Sequence, residues 1–397
     1  MKIYCLLIIA AIFQLEISAQ TPNTFIIDAN HLVQVKNKLR QRDTVTMNLV
    51  DELKKKADAL LGMKSLSVID KTFTAPSGDK HDYMSQAPYF WYDSSKPNGL
   101  PYIRRDGEHN PEIKKITDHT YFSDLENATK TLSLAWYFTG EEKYAIKASA
   151  LIRYWFFDAT TRMNPNLEYA QGIPGITNGR GIGIIESRSL TGIADAAAIL
   201  VGSSTWTSAD TKQLQDWYKQ YLHWMLTSKN GNEEHYWKNN HGTWFYVQAI
   251  DLALFSGDKN KALQLVNESK KRLDSQLTKE GKFPLELERT NALGYSTFVT
   301  AAWFQVASLA EKIGVDLWHY KTTSGASLQT AVDWLMPYAL KEKKWTYQQI
   351  SPYNSQDFYP LLLQAAEKFH NENYLKKANE IKVDKDVVVE LLLNDYK

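Results

Sequence analysis

The stretch Tyr236-Trp237-Lys238-Asn239-Asn240-His241-Gly242-Thr243-Trp244 sets two amides and an imidazole side by side where an apolar helical run begins. Amide and imidazole N–H groups can grip a carboxylate. One Asn has a plainer use, since Asn239 or Asn240 suits a helix N-cap. That leaves the other Asn, the His and the flanking Trp residues to be explained. Further on, Glu286-Leu287-Glu288-Arg289-Thr290 is followed by Tyr295. A guanidinium pairs naturally with a planar carboxylate, which here is either Glu286, Glu288 or a ligand.

Two more segments carry polar and aromatic groups in quantity. One runs Gln86-Ala87-Pro88-Tyr89-Phe90-Trp91-Tyr92, then Gly99-Leu100-Pro101-Tyr102-Ile103-Arg104-Arg105-Asp106-Gly107 and Asn110-Pro111-Glu112. The other is Tyr169-Ala170-Gln171-Gly172 with Gly179-Arg180-Gly181-Ile182-Gly183 and Glu186. Their glycines do not follow a strand, so they do not read as a dinucleotide-binding loop. Alone, each passes for a surface loop.

Helices must position these groups. Leu125–Phe138 and Trp244–Phe255 are apolar at helical spacing, each closes on a Gly, and each is followed by an acidic residue and a second helix, Glu141–Phe157 and Asp258–Leu277. The two junctions, Phe138-Thr139-Gly140-Glu141 and Phe255-Ser256-Gly257-Asp258, look alike and predict helical hairpins. Thr207 to Asp210 forms a capping box before Leu214–Leu226. Further helices are predicted at 30–40, 44–61, 187–201, 296–313, 328–340 and 357–371. Sustained strand alternation is absent. Successive hairpins that each bury one face predict an all-α fold, closing into an (α/α)n toroid. Two long stretches, Phe73 to Asp118 and Met163 to Gly183, interrupt the helices and are expected to wall a cleft.

Composition narrows the class. Net charge is +1, which argues against a broad nucleic-acid-binding surface. Twelve Trp and 22 Tyr offer flat apolar faces with polar tips, suited to sugar rings, although helical cores also consume aromatics. Residues 1–19 combine Lys2, a short apolar core and Ile17-Ser18-Ala19, the pattern of a secretory signal peptide. Export to periplasm or medium is expected, without membrane insertion, and residues 20–397 are read as one domain. The only cysteine, Cys5, lies in the leader, so disulfides and cysteine-based sites are excluded from the mature chain.

In order and content, the four polar segments resemble the alginate lyase family of (α/α) toroid fold. The shared patterns are Gly-Leu-Pro-Tyr with Arg-Asp-Gly and Asn-Pro-Glu, then Tyr-Ala-Gln, then Asn-Asn-His, then Glu-Arg-Thr followed by Tyr. They span residues 85 to 300. Trp91-Tyr92-Asp93 departs from the family's Trp-Pro-Asp. The resemblance implies an acidic polysaccharide substrate, alginate or another uronan such as glucuronan, and β-elimination with no metal or cofactor. By the same resemblance Asn240, His241 and Arg289 contact and neutralise the uronate carboxylate, and Tyr295 is the catalytic acid and, for some substrates, also the base. Gln171 and Arg180 are further candidates for substrate contact. Arg104, Arg105, Asn239, His119 and Glu288 follow, and Tyr89, Trp91 and Trp237 could stack on sugar. A monomer is expected.

Such residues suit such chemistry. Elimination removes the C5 proton beside a carboxylate and expels the oxygen at C4, so donors must stabilise the doubly charged intermediate. A nearby Arg289 is expected to bring the Tyr295 phenol, ordinarily near a pKa of roughly 10, into a useful range. In mannuronate the proton and the oxygen leave from one side, and one Tyr can serve both. In guluronate they leave from opposite sides, and His241 as base with Tyr295 as acid would fit. Two other readings remain. A glycoside hydrolase on an (α/α) barrel would use paired carboxylates, with candidates Asp118, Asp124, Glu186, Glu286 and Glu288. A non-catalytic glycan-binding protein would bind without turnover.

Overall fold

The computed structural model describes residues 21–382 and 386–393; the leader reading therefore falls outside the described residues. Among the described residues no helix is long and apolar enough to cross a membrane. The predicted hairpins are present. Asp118–Thr139 turns at Gly140 into Glu142–Phe156, and Asn240–Phe255 turns at Gly257 into Lys259–Gln276. Gly140 and Gly257 both take positive φ, 74° and 84°, a conformation that costs glycine nothing and returns the backbone N–H to the last turn.

Helix contacts close a ring. Thr44–Leu61 packs on Asp118–Thr139, which packs on Ser189–Leu200, then Asn240–Phe255, then Ala292–Glu311. Leu328–Ala339, Tyr359–Lys368 and Val387–Leu393 continue the circuit, and the last packs back on Thr44–Leu61. The chain is an all-α toroid. Six of the twelve Trp residues, among them Trp155, Trp303 and Trp318, are buried in its core. The inner position of Asn240–Phe255 is plain from burial: every residue but His241 is buried.

Short strands appear where only loops were expected. β1 (Met84–Gln86) precedes β2 (Phe90–Trp91) and β3 (Ile103–Arg104) in the first long stretch, and β4 (Tyr169–Gly172) lies in the second. β1 pairs with β4 in parallel and β2 with β3 antiparallel, so the two stretches are stitched together. The first stretch is also clamped at its base. The buried Lys71 ammonium donates to the carbonyls of Val68, Lys80 and Asp82 and pairs with buried Asp118 at 3.1 Å. A buried ammonium needs such a full set of acceptors. The second Asp118 oxygen contact fixes β1, because Oδ2 also accepts from the Met84 N–H at 2.9 Å.

Candidate active site

The two stretches and the ends of the helices Asp118–Thr139, Lys229–Tyr236, Asn240–Phe255, Pro284–Leu287 and Ala292–Glu311 enclose a cavity of 1260 Å³. Asn239 caps the Asn240–Phe255 helix, its Oδ1 accepting the His241 N–H at 3.1 Å. Asn240, in the first turn, is free of that duty. Its backbone N–H and Nδ2 donate to the two oxygens of buried Glu286 at 2.6 and 2.7 Å. One amide hydrogen of Asn240 is thus fixed on Glu286, which leaves the other for a ligand.

His241 is the helix's opening to the cavity. Its Nδ1 lies 3.0 Å from Oε1 of Glu234, a wholly buried carboxylate on the helix Lys229–Tyr236. With Nδ1–H donated to that carboxylate, Nε2 is left unprotonated in the neutral ring. Burial raises the Glu234 carboxyl, and the adjacent His241 opposes it.

Arg289 finds its partner neither in Glu286 nor in Glu288 but in Asp106. Nε and Nη2 donate to the two Asp106 oxygens at 3.1 and 2.8 Å, and Arg104 reaches the same carboxylate at 2.6 Å. Burial would raise the Asp106 carboxyl; hydrogen bonds and charge from Arg289, with Arg104 behind it, prevail and hold it at about 2. Nη2 of Arg289 also donates to the Tyr295 hydroxyl at 2.6 Å, and the Tyr89 hydroxyl meets that oxygen at 2.7 Å. Tyr295 stands in the first turn of Ala292–Glu311, whose Leu293 N–H is accepted by Gln349 Oε1 at 3.1 Å.

The phenol of Tyr295 is pushed up, well above its ordinary value, by burial first and by Tyr89 second, with Arg289 offsetting only part. This corrects the expectation of a phenol brought down by its cation: desolvation outweighs the attraction. In the free protein the Tyr295 hydroxyl is protonated, and its proton points to Tyr89 or into the cavity because Arg289 occupies a lone pair.

Tyr89, Arg104, His119, Gln171, Arg180, Trp237, Asn239, Asn240, His241, Glu288, Arg289 and Tyr295 all line this cavity, and Trp91 and Arg105 do not. The reason is strand geometry. Phe90 pairs with Arg104 and Trp91 with Ile103, and successive side chains point to opposite faces. Phe90 and Arg104 face the cavity, while Arg105 stacks over Trp91 at 5.2 Å on the other side. Arg180 donates to Gln171 Oε1 at 2.7 Å and lies over the Phe90 ring. Gln171 holds a positive φ of 50°, a costly conformation for a side chain of its kind. Six Arg and Lys side chains line the cavity against three carboxylates, so a near-neutral chain carries a positive pocket suited to anions.

Among the cavity's carboxylates in the described residues only that of Glu288 has no hydrogen-bond or ion-pair partner, so the free pair a hydrolase needs is not formed. Asp106 is held by Arg289, Glu286 by Asn240, and Glu186 by the hydroxyls of Tyr83 and Ser85 at 2.8 and 2.6 Å. Asp118 is tied to Lys71, and Asp124 lines a separate small cavity.

The alginate lyase family pattern matches residues 67–345, which include every group described in this cavity. The solved structure of an alginate lyase from Bacteroides ovatus is 38% identical, with a TM-score of 0.90, over 94% of this chain and 100% of that one. Alginate lyase A1-III from Sphingomonas species A1 is 17% identical with a TM-score of 0.55, over 86% of this chain and 94% of that one. A variant of alginate lyase A1-III complexed with tetrasaccharide is 16% identical with a TM-score of 0.63, over 96% and 98%; at these identities the likeness concerns the fold. Comparison with curated proteins gives no match. A toroid of this shape, a family match across the whole site and a relative at 38% identity place the chain in the alginate lyase family, and make it a polysaccharide lyase.

Proposed function

We propose that the protein depolymerises alginate by β-elimination in this cavity, after export to the periplasm or the medium, acting as a monomer. The observation that carries the reading is the convergence of Arg289, Tyr295, Asn240 and His241 on one positive pocket. The uronate carboxylate sits against Asn240, His241 and Arg289, whose donors take up the charge that builds as the C5 proton leaves. The C–H electron pair becomes the C4–C5 double bond, the C4–O bond breaks, and Tyr295 protonates the departing oxygen. For mannuronate, Tyr295 first loses its hydroxyl proton to solvent, a step that burial makes costly; the phenolate, held by Arg289, then takes the C5 proton and returns it to the departing O4 oxygen. For guluronate, Nε2 of His241 takes the proton and Tyr295 gives one.

Support for Tyr295 as acid comes from its protonated phenol, and for His241 as base from the Glu234 contact that leaves Nε2 open. Polymannuronate, polyguluronate and glucuronan, followed by the ultraviolet absorbance of the unsaturated product, test the reading. New absorbance on the first two supports it. Reducing ends without absorbance would mean hydrolysis, binding without either product would mean a glycan-binding protein, and absorbance on glucuronan alone would move the substrate.

A further inference from the structure

A second cavity, of 820 Å³, opens between the Lys229–Tyr236 helix and the outer helix Lys259–Gln276. It shares Tyr236, Lys238 and Leu285 with the catalytic cavity, so the two are continuous over one rim. That rim sets two exposed apolar side chains beside Lys238: Tyr236 is 72% and Leu285 39% accessible. One face of the Tyr236 ring stacks on His235 at 4.7 Å, which holds the exposed ring in a fixed orientation suited to stacking on a sugar.

The charge of the second cavity is one-sided. Lys238, Lys261, Lys271 and Arg272 line it against the single carboxylate of Glu268. The one Glu268 contact among the described residues is Gln264, and Lys261 donates to Gln264 as well, at 2.8 Å. Arg272 donates to the carbonyls of Trp237 and His235, at 2.8 and 2.5 Å, and lies over the Tyr246 ring, with the Glu234 carboxylate as its nearest opposite charge in the interior. None of these four cations forms a salt bridge among the described residues. Four cations around one carboxylate favour a polyanion over a neutral glycan.

We propose that this outer cavity is an auxiliary binding site for the anionic polysaccharide, which takes the chain beyond the catalytic cleft across Tyr236. The proposal rests on the uronan-lyase reading, because it supposes an acidic chain threaded through the first cavity. The site adds affinity for long chains and nothing for short ones, since a trisaccharide is used up within the catalytic cleft.

Lys261→Glu/Lys271→Glu tests it, as both residues sit on the outer helix, away from the catalytic groups. On polymannuronate the double variant should raise KM about 5- to 10-fold at low salt, with kcat unchanged and the difference shrinking as salt screens the charges. On a mannuronate trisaccharide KM should not move. Affinity electrophoresis through a gel holding the polymer reads the same site without turnover and should show weaker retardation of the variant. Unchanged KM and unchanged retardation on polymer would overturn the proposal, as would an equal rise on the trisaccharide. Failure of the underlying reading looks different: the unaltered protein then gives no unsaturated product from any uronan, while retardation still reports on the outer cavity.

Discussion

The Arg289 guanidinium lies over the ring of Tyr295, 3.7 Å from its centroid, while its Nη2 donates to the Tyr295 hydroxyl. One cation therefore touches both the face and the oxygen of the phenol. The face contact holds the ring in place, and the donated hydrogen bond turns the hydroxyl proton away from Arg289, toward Tyr89 or the cavity.

Tyr295→Phe keeps the ring and removes only that proton. The kcat should fall about 10²- to 10⁴-fold on every uronan the protein cleaves. Polymer binding should change by no more than a few-fold. Loss of binding together with turnover would assign Tyr295 to substrate contact alone.

Because burial holds the phenol above its ordinary value, Tyr295 should remain protonated in the free protein up to about pH 10. Ultraviolet difference titration of the protein against Tyr295→Phe should show no extra tyrosinate below that pH. A tyrosinate that appears near neutrality only in the variant's parent would restore a low-pKa phenol.

Glu234→Gln leaves shape intact but removes the charge that keeps Nδ1 protonated. A ring in the other tautomer presents N–H where a base is needed. Turnover of polyguluronate should fall about 10²- to 10⁴-fold, with a smaller loss on polymannuronate, and His241→Gln should show the same split. Equal losses on both polymers would remove the case for a guluronate-specific base.

Asp106 gives the site an acid limit. Its folded-state carboxyl, at about 2, lies below the ordinary value of about 3.9. The contribution is complete above about pH 4 and is lost as pH falls through about 2. In urea unfolding, the stability gap between the protein and Asp106→Asn should be constant above about pH 4 and narrow below it. At neutral pH the variant's kcat/KM should drop about 10- to 100-fold, because a misplaced Arg289 no longer meets the carboxylate squarely.

Lys71→Met leaves Asp118 buried without its cation. Stability should fall by about 3–5 kcal/mol. Burial already raises the Asp118 carboxyl to about 7 and loss of Lys71 raises it further, so adding Asp118→Asn should recover part of the loss only at alkaline pH, where Asp118 would otherwise be charged. Thermal or urea unfolding of the two variants settles it.

The long helices were legible because each advertises itself locally: an apolar stripe, a closing glycine at Gly140 or Gly257, a capping box at Thr207. The short helix Lys229–Tyr236 was not, since Lys-Asn-Gly-Asn-Glu-Glu-His-Tyr has a glycine inside and no apolar stripe. Glu234 stayed hidden with it, although the Asn-Asn-His segment it serves stood out. The Asp106–Arg289 pair joins residues far apart in the chain, and no spacing rule reaches across that distance. Trp91 and Arg105 fall outside the cavity wall for the opposite reason. They lie beside true wall residues, and a strand of two residues is too short for its alternation to show.

The Lys71–Asp118 clamp makes the segment between them a module with a fixed base. Tyr89, Arg104 and Asp106 all come from that segment, which is anchored at its base by the clamp and held further along by the β1–β4 pairing and by the Asp106–Arg289 contact. Doubling the length of such a loop costs only about 0.6 kcal/mol in closure entropy, and the anchor keeps that cost from reaching the ring. Natural or engineered drift in sugar preference is thus cheapest here, by varying the segment around Asp106 while Lys71, Asp118, Asp106 and the catalytic helices stay as they are.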